Sequence, residues 1–280
     1  MEINHSKRRL SKNNINSIFQ KKASKFASLF LYICFMKTSE IYGIKPTLEA
    51  LHANQTIDKI FVQKNIKNEG LKEIIHLASE QHIAVSYVPI EKLNKLSKNN
   101  NHQGVFAKIS PISYVNIEDL LENSFSKKED PFFIILDELS DVRNVGAIIR
   151  TAECTNVDGI ITLKQGGAAI NDQTVKTSTG AIFNIPICKV DHIKDVLFYM
   201  DSYQIQTVAA TEKTDQSVYE VDFNKPTALI MGSEGKGVSK NALQMAKVKA
   251  KLPMLGETSS LNVSVACGAI LYEMVRQRQS

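Results

Sequence analysis

The chain is poor in the residues that announce a metal centre. Its four cysteines, at 34, 154, 188 and 267, include no CxxC pair, and its six histidines show no ligand spacing. No metal site is expected, a structural zinc site least of all. Scattered single cysteines read instead as small buried hydrophobes in a reducing cytosol, so a cytoplasmic location is expected. Aromatic residues make up only 7% and form no clustered motif, so nothing local indicates base stacking. Arginine is scarcer still: six in the chain and none between Arg9 and Arg143, although lysine is used freely. The apolar run from Phe26 to Met36 is too short to span a bilayer, and no membrane association is expected. There is no internal repeat and no long low-complexity tract.

Net charge is also missing where it would be informative. The chain carries +5, but residues 1–35 alone hold seven Lys/Arg against one Glu. The remaining 27 basic and 28 acidic residues nearly cancel. Bulk charge therefore says nothing for RNA; only a local patch could. The basic start followed by an apolar run resembles a signal peptide, but no small-residue cleavage site follows. Met36-Lys-Thr-Ser-Glu-Ile-Tyr-Gly-Ile-Lys-Pro opens a well-patterned segment at once. Residues 1–36 are accordingly expected to be a disordered tail or an over-extended start.

What is present reads as two α/β units. A length of 280 residues suits two domains. Ile57–Val62 and Ala84–Val88 read as strands, Leu71, Ile74, Ile75 and Ala78 set a helix over 69–82, and Gln103–Ile109 returns as a strand. These define a first domain over 37–110. His102 precedes the last strand and reads as a surface or turn group. Pro111, the polar run 124–130 and Pro131 suggest a linker over 111–130, with one helical turn near Ile117–Leu121. From 131 to 280 strands and helices alternate. Strands are expected at 132–136, 159–163, 184–188, 206–210, 227–231 and 249–252. Helices are expected at 144–155, 172–179, 192–202, 238–246 and 261–278. The alternation implies a mostly parallel sheet with helices on both faces, and ligands bind such sheets at the carboxyl ends of their strands.

Three motifs fall at those ends. In the first, Asp141-Val-Arg-Asn-Val-Gly-Ala-Ile-Ile-Arg150, a small Gly146-Ala147 pair lets the helix start approach another backbone. Arg150, in a protein so sparing of arginine, points to forked recognition of phosphate or carboxylate; the alternative is an interhelical salt bridge. The second, Met231-Gly-Ser-Glu-Gly-Lys-Gly237, fails as a P-loop because glycine follows the lysine. It reads as a backbone wall for a flat ligand with Glu234 as its anionic group, or as a generic strand-to-helix turn. Lys236 reads as solvated. The third, Ser259-Ser-Leu-Asn-Val-Ser264, has more polar residues than one helix cap needs. Ser260 and Asn262 are assigned to the site, and Ser259 and Ser264 to capping or packing.

Together the three motifs resemble the SPOUT superfamily, in its SpoU branch of RNA ribose 2′-O-methyltransferases. The resemblance covers nearly all of 37–280 and is greatest to the 23S rRNA guanosine 2′-O-methyltransferase group. Ile41–Leu51 and His102-Gln-Gly-Val105 are similar to that branch's N-terminal substrate-binding domain. The resemblance implies an α/β fold: a trefoil-knotted C-terminal methyltransferase domain with a mostly parallel sheet, and a small N-terminal L30e-like α/β domain. It implies S-adenosyl-L-methionine (AdoMet) as cofactor, RNA as partner and a homodimer. By position, Asn144 and Arg150 match the first family motif, Glu234 the second, and Ser260 with Asn262 the third. Gly232, Leu252 and Leu261 fall where the family binds AdoMet, with Thr211 a further candidate.

The reaction implied is displacement at a sulfonium methyl by a ribose 2′-oxygen, accelerated by in-line placement. A guanidinium is a poor general base. Arg150 is therefore read as a phosphate clamp that stabilises charge on the 2′-oxygen, with proton removal through water or Glu234. A deprotonated Arg150 stays open as the alternative, as do tRNA in place of rRNA and a non-catalytic RNA-binding ribosome-assembly factor on the same fold.

Overall fold

The computed structural model describes residues 40–65, 68–258 and 260–279. The expectations for residues 1–36 and for Ser259 fall outside them.

The first sheet has the order β1-β4-β2-β3. Its strands are β1 (Glu40–Tyr42), β2 (Ile57–Gln63), β3 (Val85–Val88) and β4 (Val105–Ile109). β4 runs antiparallel to β1 and β2, and β3 runs parallel to β2. Helices α1 (Ile44–His52) and α2 (Glu69–Glu80) cover one face. Their Leu51, Leu71, Ile74 and Ala78 bury against Ile60, Val62, Val105 and Ala107 of the strands. Among the described residues, the short α3 (Ile90–Leu96) packs on the other face, through Leu93 against Phe61 and Phe106. His102 is buried at the turn before β4, where its ring bonds Asn94 Oδ1 at 2.9 Å and accepts from Gly104 N at 3.0 Å. The surface reading of that histidine is thereby corrected: two local polar partners make an imidazole cheap to bury.

The stretch 111–130 is more ordered than its composition suggests. Ile117–Phe125 forms a full helix, α4, capped by Asn116, which accepts from Asp119 N. Ile117, Leu120 and Leu121 enter the core of the second sheet, and Val115 bridges to Cys188. The expected single turn was too short because an i, i+3, i+4 apolar stripe here spans little more than two turns.

The second sheet is parallel throughout, with the order β10-β8-β9-β5-β6-β7. The strands are β5 (Phe132–Asp137), β6 (Gly159–Leu163), β7 (Ile187–Val190), β8 (Gln206–Ala210), β9 (Thr227–Gly232) and β10 (Val248–Ala250). Every residue of β5, β6 and β9 is buried, as befits central strands covered on both faces. The helices are α5 (Val142–Cys154), α6 (Asp172–Thr177), α7 (Ile193–Ser202), α8 (Lys240–Met245) and α9 (Val263–Arg278). α4, α7 and α8 pack on one face around Phe133, Ile135 and Ile230. α5 and α9 pack against each other, and α9 also meets β9. β7 begins three residues later than expected: Ala181–Phe183 turns as a 3₁₀ helix, and Pro186 lacks the N–H to join the ladder.

Candidate functional site

All six strands of the second sheet run the same way, so their carboxyl ends share one edge. The three motifs leave from it. Asp137 ends β5, and Asp141 caps α5 by accepting from Arg143 N at 2.7 Å and Asn144 N at 3.1 Å. Gly146 is buried in α5, where a Cβ would lie 1.8 Å from Thr177 Oγ1 and 3.2 Å from Ser178 N. The bare backbone thus admits the end of α6, as the sequence led us to expect.

Gly232 ends β9 in register with Asp137. A Cβ here would sit 2.1 Å from both Gly237 C and Val238 N, so only glycine lets the chain fold back on itself. Ser233 and Gly237 exchange backbone hydrogen bonds of 3.1 and 2.9 Å, closing the five-residue loop 233–237. Glu234 projects from that loop, exposed. Asn262 caps α9: its Oδ1 accepts from Ser264 N at 2.9 Å, Ser264 Oγ at 2.6 Å and Val265 N at 3.4 Å.

Three side chains from the three motifs close a triangle. Asn144 Nδ2 donates to Glu234 Oε1 at 2.7 Å. Asn262 Nδ2 donates to the same oxygen at 3.1 Å and to Asn144 Oδ1 at 3.0 Å. Both amides thus converge on one carboxylate oxygen, and no hydrogen bond among the described residues occupies Glu234 Oε2. Asn262 serves the cap with its oxygen and the triangle with its nitrogen. Its role in the site and its role as helix cap are one arrangement.

Arg150 and Ser260 do not join the triangle. Six residues beyond Asn144, Arg150 is turned by about 240° around the helix axis. It is exposed, with no hydrogen bond or ion pair among the described residues. The interhelical salt bridge weighed for it is absent there. Arg278 shows the contrast: its guanidinium donates to the carbonyls of Phe223, Asp130 and Lys225 at 2.8, 2.6 and 3.1 Å. Ser260 is exposed beside the triangle's third member, and Ser264 is the serine that touches Asn262.

Three of the four cofactor candidates lie side by side. Thr211, Gly232 and Leu252 follow or end β8, β9 and β10, three neighbours in the sheet. Thr211 N donates to Ala250 O at 2.9 Å, and its Oγ1 accepts from Lys213 N at 3.2 Å. Leu252 is half-buried, and Leu261, 44% exposed, presents an open apolar side chain. A backbone edge that continues into Leu252 fits a flat, partly polar ligand such as a nucleoside.

One residue at this edge was missed by sequence reasoning. Asp137 is 1% exposed; its Oδ2 accepts from Ser239 N at 2.7 Å, and its Oδ1 has no hydrogen-bond partner among the described residues. It anchors the far end of the 232–239 segment that carries Glu234. The available signal was an acidic residue closing the unbroken apolar run Phe132–Leu136.

Comparison with known proteins finds relatives for both parts of the chain. Residues 131–272 match the SpoU rRNA methylase family, and residues 41–115 match the RNA 2′-O ribose methyltransferase substrate-binding family. The chain is 35% identical over 238 residues to Bacillus subtilis YacO, assigned to the TrmH family of tRNA/rRNA methyltransferases, spanning 85% of this chain and 95% of that one. Its fold is shared with the SpoU methyltransferase AviRb of Streptomyces viridochromogenes, solved with AdoMet. The TM-score is 0.56 at 24% identity, over 86% of this chain and 90% of that one. A TrmH/SpoU tRNA-modifying enzyme of A. aeolicus matches 58% of this chain and 83% of its own at 33% identity, with a TM-score of 0.50.

Proposed function

The chain belongs to the SpoU rRNA methylase family, and from that premise we propose that it transfers a methyl group from AdoMet to a ribose 2′-hydroxyl of RNA, at a guanosine of 23S rRNA. The observation that carries the reading is the triangle of Asn144, Glu234 and Asn262. Three segments far apart in sequence meet there at the edge where a parallel sheet binds ligands.

AdoMet, when bound, supplies a sulfonium methyl carbon as electrophile. Thr211, Gly232, Leu252 and Leu261 would hold it, mainly by backbone and apolar contact, in the trefoil knot that the family implies. Asn144 and Asn262 orient the Glu234 carboxylate, whose Oε2 is left to accept a hydrogen bond from the ribose or from a water that takes its proton. Ser260 lines the approach. Arg150 clamps the phosphate beside the target ribose and stabilises negative charge growing on the 2′-oxygen.

Arg150 is turned away from its own chain's triangle, so a second copy supplies it. The protein is therefore a homodimer in this reading. Val265, Ala269 and Tyr272 support it, as an exposed stripe at helical spacing on α9, the helix packed against α5.

The test is methyl transfer from labelled AdoMet to separated, unmodified rRNA and tRNA, with the label mapped by alkali resistance of the neighbouring phosphodiester. Label in 23S rRNA, lost with Arg150→Ala, is expected. Label in tRNA instead would select the second reading, which the likeness to the A. aeolicus enzyme favours. AdoMet binding without transfer to any RNA or ribosomal subunit would leave an assembly factor.

A further inference from the structure

The N-terminal sheet carries opposite charge on its two sides. On the side covered by α1 and α2, those helices present Glu49, Glu69, Glu73 and Glu80 against Lys45 and Lys72. The other side, partly covered by α3, inverts the balance: Lys59, Lys92, Lys95 and Lys108 stand against Glu40 and Glu91.

On that second side the strand register lines up two rows. Tyr42, Phe106 and Phe61 face one another across β1, β4 and β2, and the two phenylalanine rings lie 6.3 Å apart. The neighbouring row is Glu40, Lys108 and Lys59. α3 seals Phe106, while Tyr42, on the edge strand, keeps 38% of its surface open. Lys59 Nζ and Lys92 Nζ lie 5.5 and 5.6 Å from the centroid of the same Phe61 ring.

One pair in this arrangement works against the stability of the free protein. Lys59 and Lys108 are direct cross-strand partners, and like charges so placed repel. Neither they nor Lys92 form an ion pair among the described residues. By contrast, Lys128, Lys164, Lys189 and Lys247 of the second unit all do. Three ammonium groups outnumber Glu40, the carboxylate in the strand row, and beside an open aromatic ring they complement a polyanion that carries stackable bases. The position is apt as well. Asp58, next to Lys59, accepts hydrogen bonds from Lys189 of β7 and from Tyr114, so the lysine row lies at the end of the sheet tied to the methyltransferase sheet.

We propose that this face docks an RNA strand, with its phosphates on Lys59, Lys92 and Lys108 and an unpaired base on the ring of Tyr42. The assignment rests on RNA being the substrate. Docking here binds ground state and transition state alike, so it governs KM and leaves kcat alone.

The experiment measures binding and methyl transfer by the full chain on an unmodified 23S rRNA transcript, as a function of salt. Lys59→Gln with Lys108→Gln should raise the RNA KM while kcat and AdoMet affinity stay at wild-type values. Removing two phosphate contacts should flatten the salt slope by about 1.4. Between 50 and 200 mM salt, wild type then loses about sevenfold more affinity than the variant. The arginine pair at the same positions should restore the slope, Tyr42→Phe should bind like wild type, and Tyr42→Ala should bind more weakly. Lys72→Gln, on the helix-covered side, should change nothing. Wild-type methylation with an unchanged KM and slope in the glutamine pair overturns the docking face and leaves the activity standing. A wild type that neither binds nor methylates RNA overturns both. If the glutamine pair fails to fold, Tyr42→Ala decides: wild-type affinity in that variant also overturns the face.

Discussion

The two sheets are open in different places. The second is sealed on both faces, its central strands buried along their whole length, and it offers only the edge where the strands end. There, backbone ends and helix caps gather groups from distant segments. The first is sealed on one face and half open on the other, so it offers a surface, where the period-two alternation of strands lays out rows. An edge suits chemistry, because few groups converge and are held from behind. A face suits docking, because charges spread over several strands can follow a chain of phosphates.

Four tests would break or sharpen that contrast. The largest effect belongs to the strand-end site: Arg150→Ala should lower kcat about 10²–10³-fold, the range for losing one stabilising donor. Its melting temperature should hardly move, because the side chain is exposed and has no ion pair or hydrogen bond among the described residues. Mixing Arg150→Ala with Glu234→Ala should restore about a quarter of wild-type activity if the two groups come from different subunits of a two-fold dimer. No recovery would place both in one chain.

Leu121→Ala tests where the segment between the two sheets belongs. The residue is fully buried in the core of the second sheet, so truncation should cost about 2–5 kcal/mol in denaturant unfolding. A loose linker would lose almost nothing.

Asn262 separates cap from chemistry. Asn262→Ala removes both and should cost about 1 kcal/mol of stability together with activity. Asn262→Ser keeps a capping oxygen and loses the two donated bonds, so stability should stay near wild type while methyl transfer falls. Equal activity in Asn262→Ser and wild type would remove the triangle from the mechanism.

The smallest effect concerns the thiols. Burial pushes Cys188 and Cys267 up to about 12, so both stay protonated and unreactive from neutral pH to well above pH 9. Cys154 is exposed. Mass-mapped alkylation of the native protein should therefore label Cys154 and spare Cys188 and Cys267; the reverse order would contradict the packing of β7 and α9.

Much of this was legible beforehand. The apolar run of β5, the helical stripes of α2 and α7, and the parallel order implied by alternating elements are local patterns, and the strands and helices formed near the expected places. The three motifs were legible because glycine, asparagine and serine at strand ends are poor choices for a packed interior. Ends and turns were harder. β7 starts after Pro186 and not at 184, and the expected turn at Ile117–Leu121 was shorter than the helix α4 that forms, because flanking residues weigh on composition and do not decide burial.

The sequence by itself determined which residues could do chemistry, since periodicity, capping preference and side-chain type are properties of neighbours along the chain. Only the tertiary structure decided which of them meet. Asn144 and Glu234 are 90 residues apart, and Asn144 and Asn262 118. The row of Tyr42, Phe106 and Phe61 exists only through strand register. Such contacts are chosen by the burial of whole faces, a term shared by the entire fold, and so no short stretch of sequence carries them.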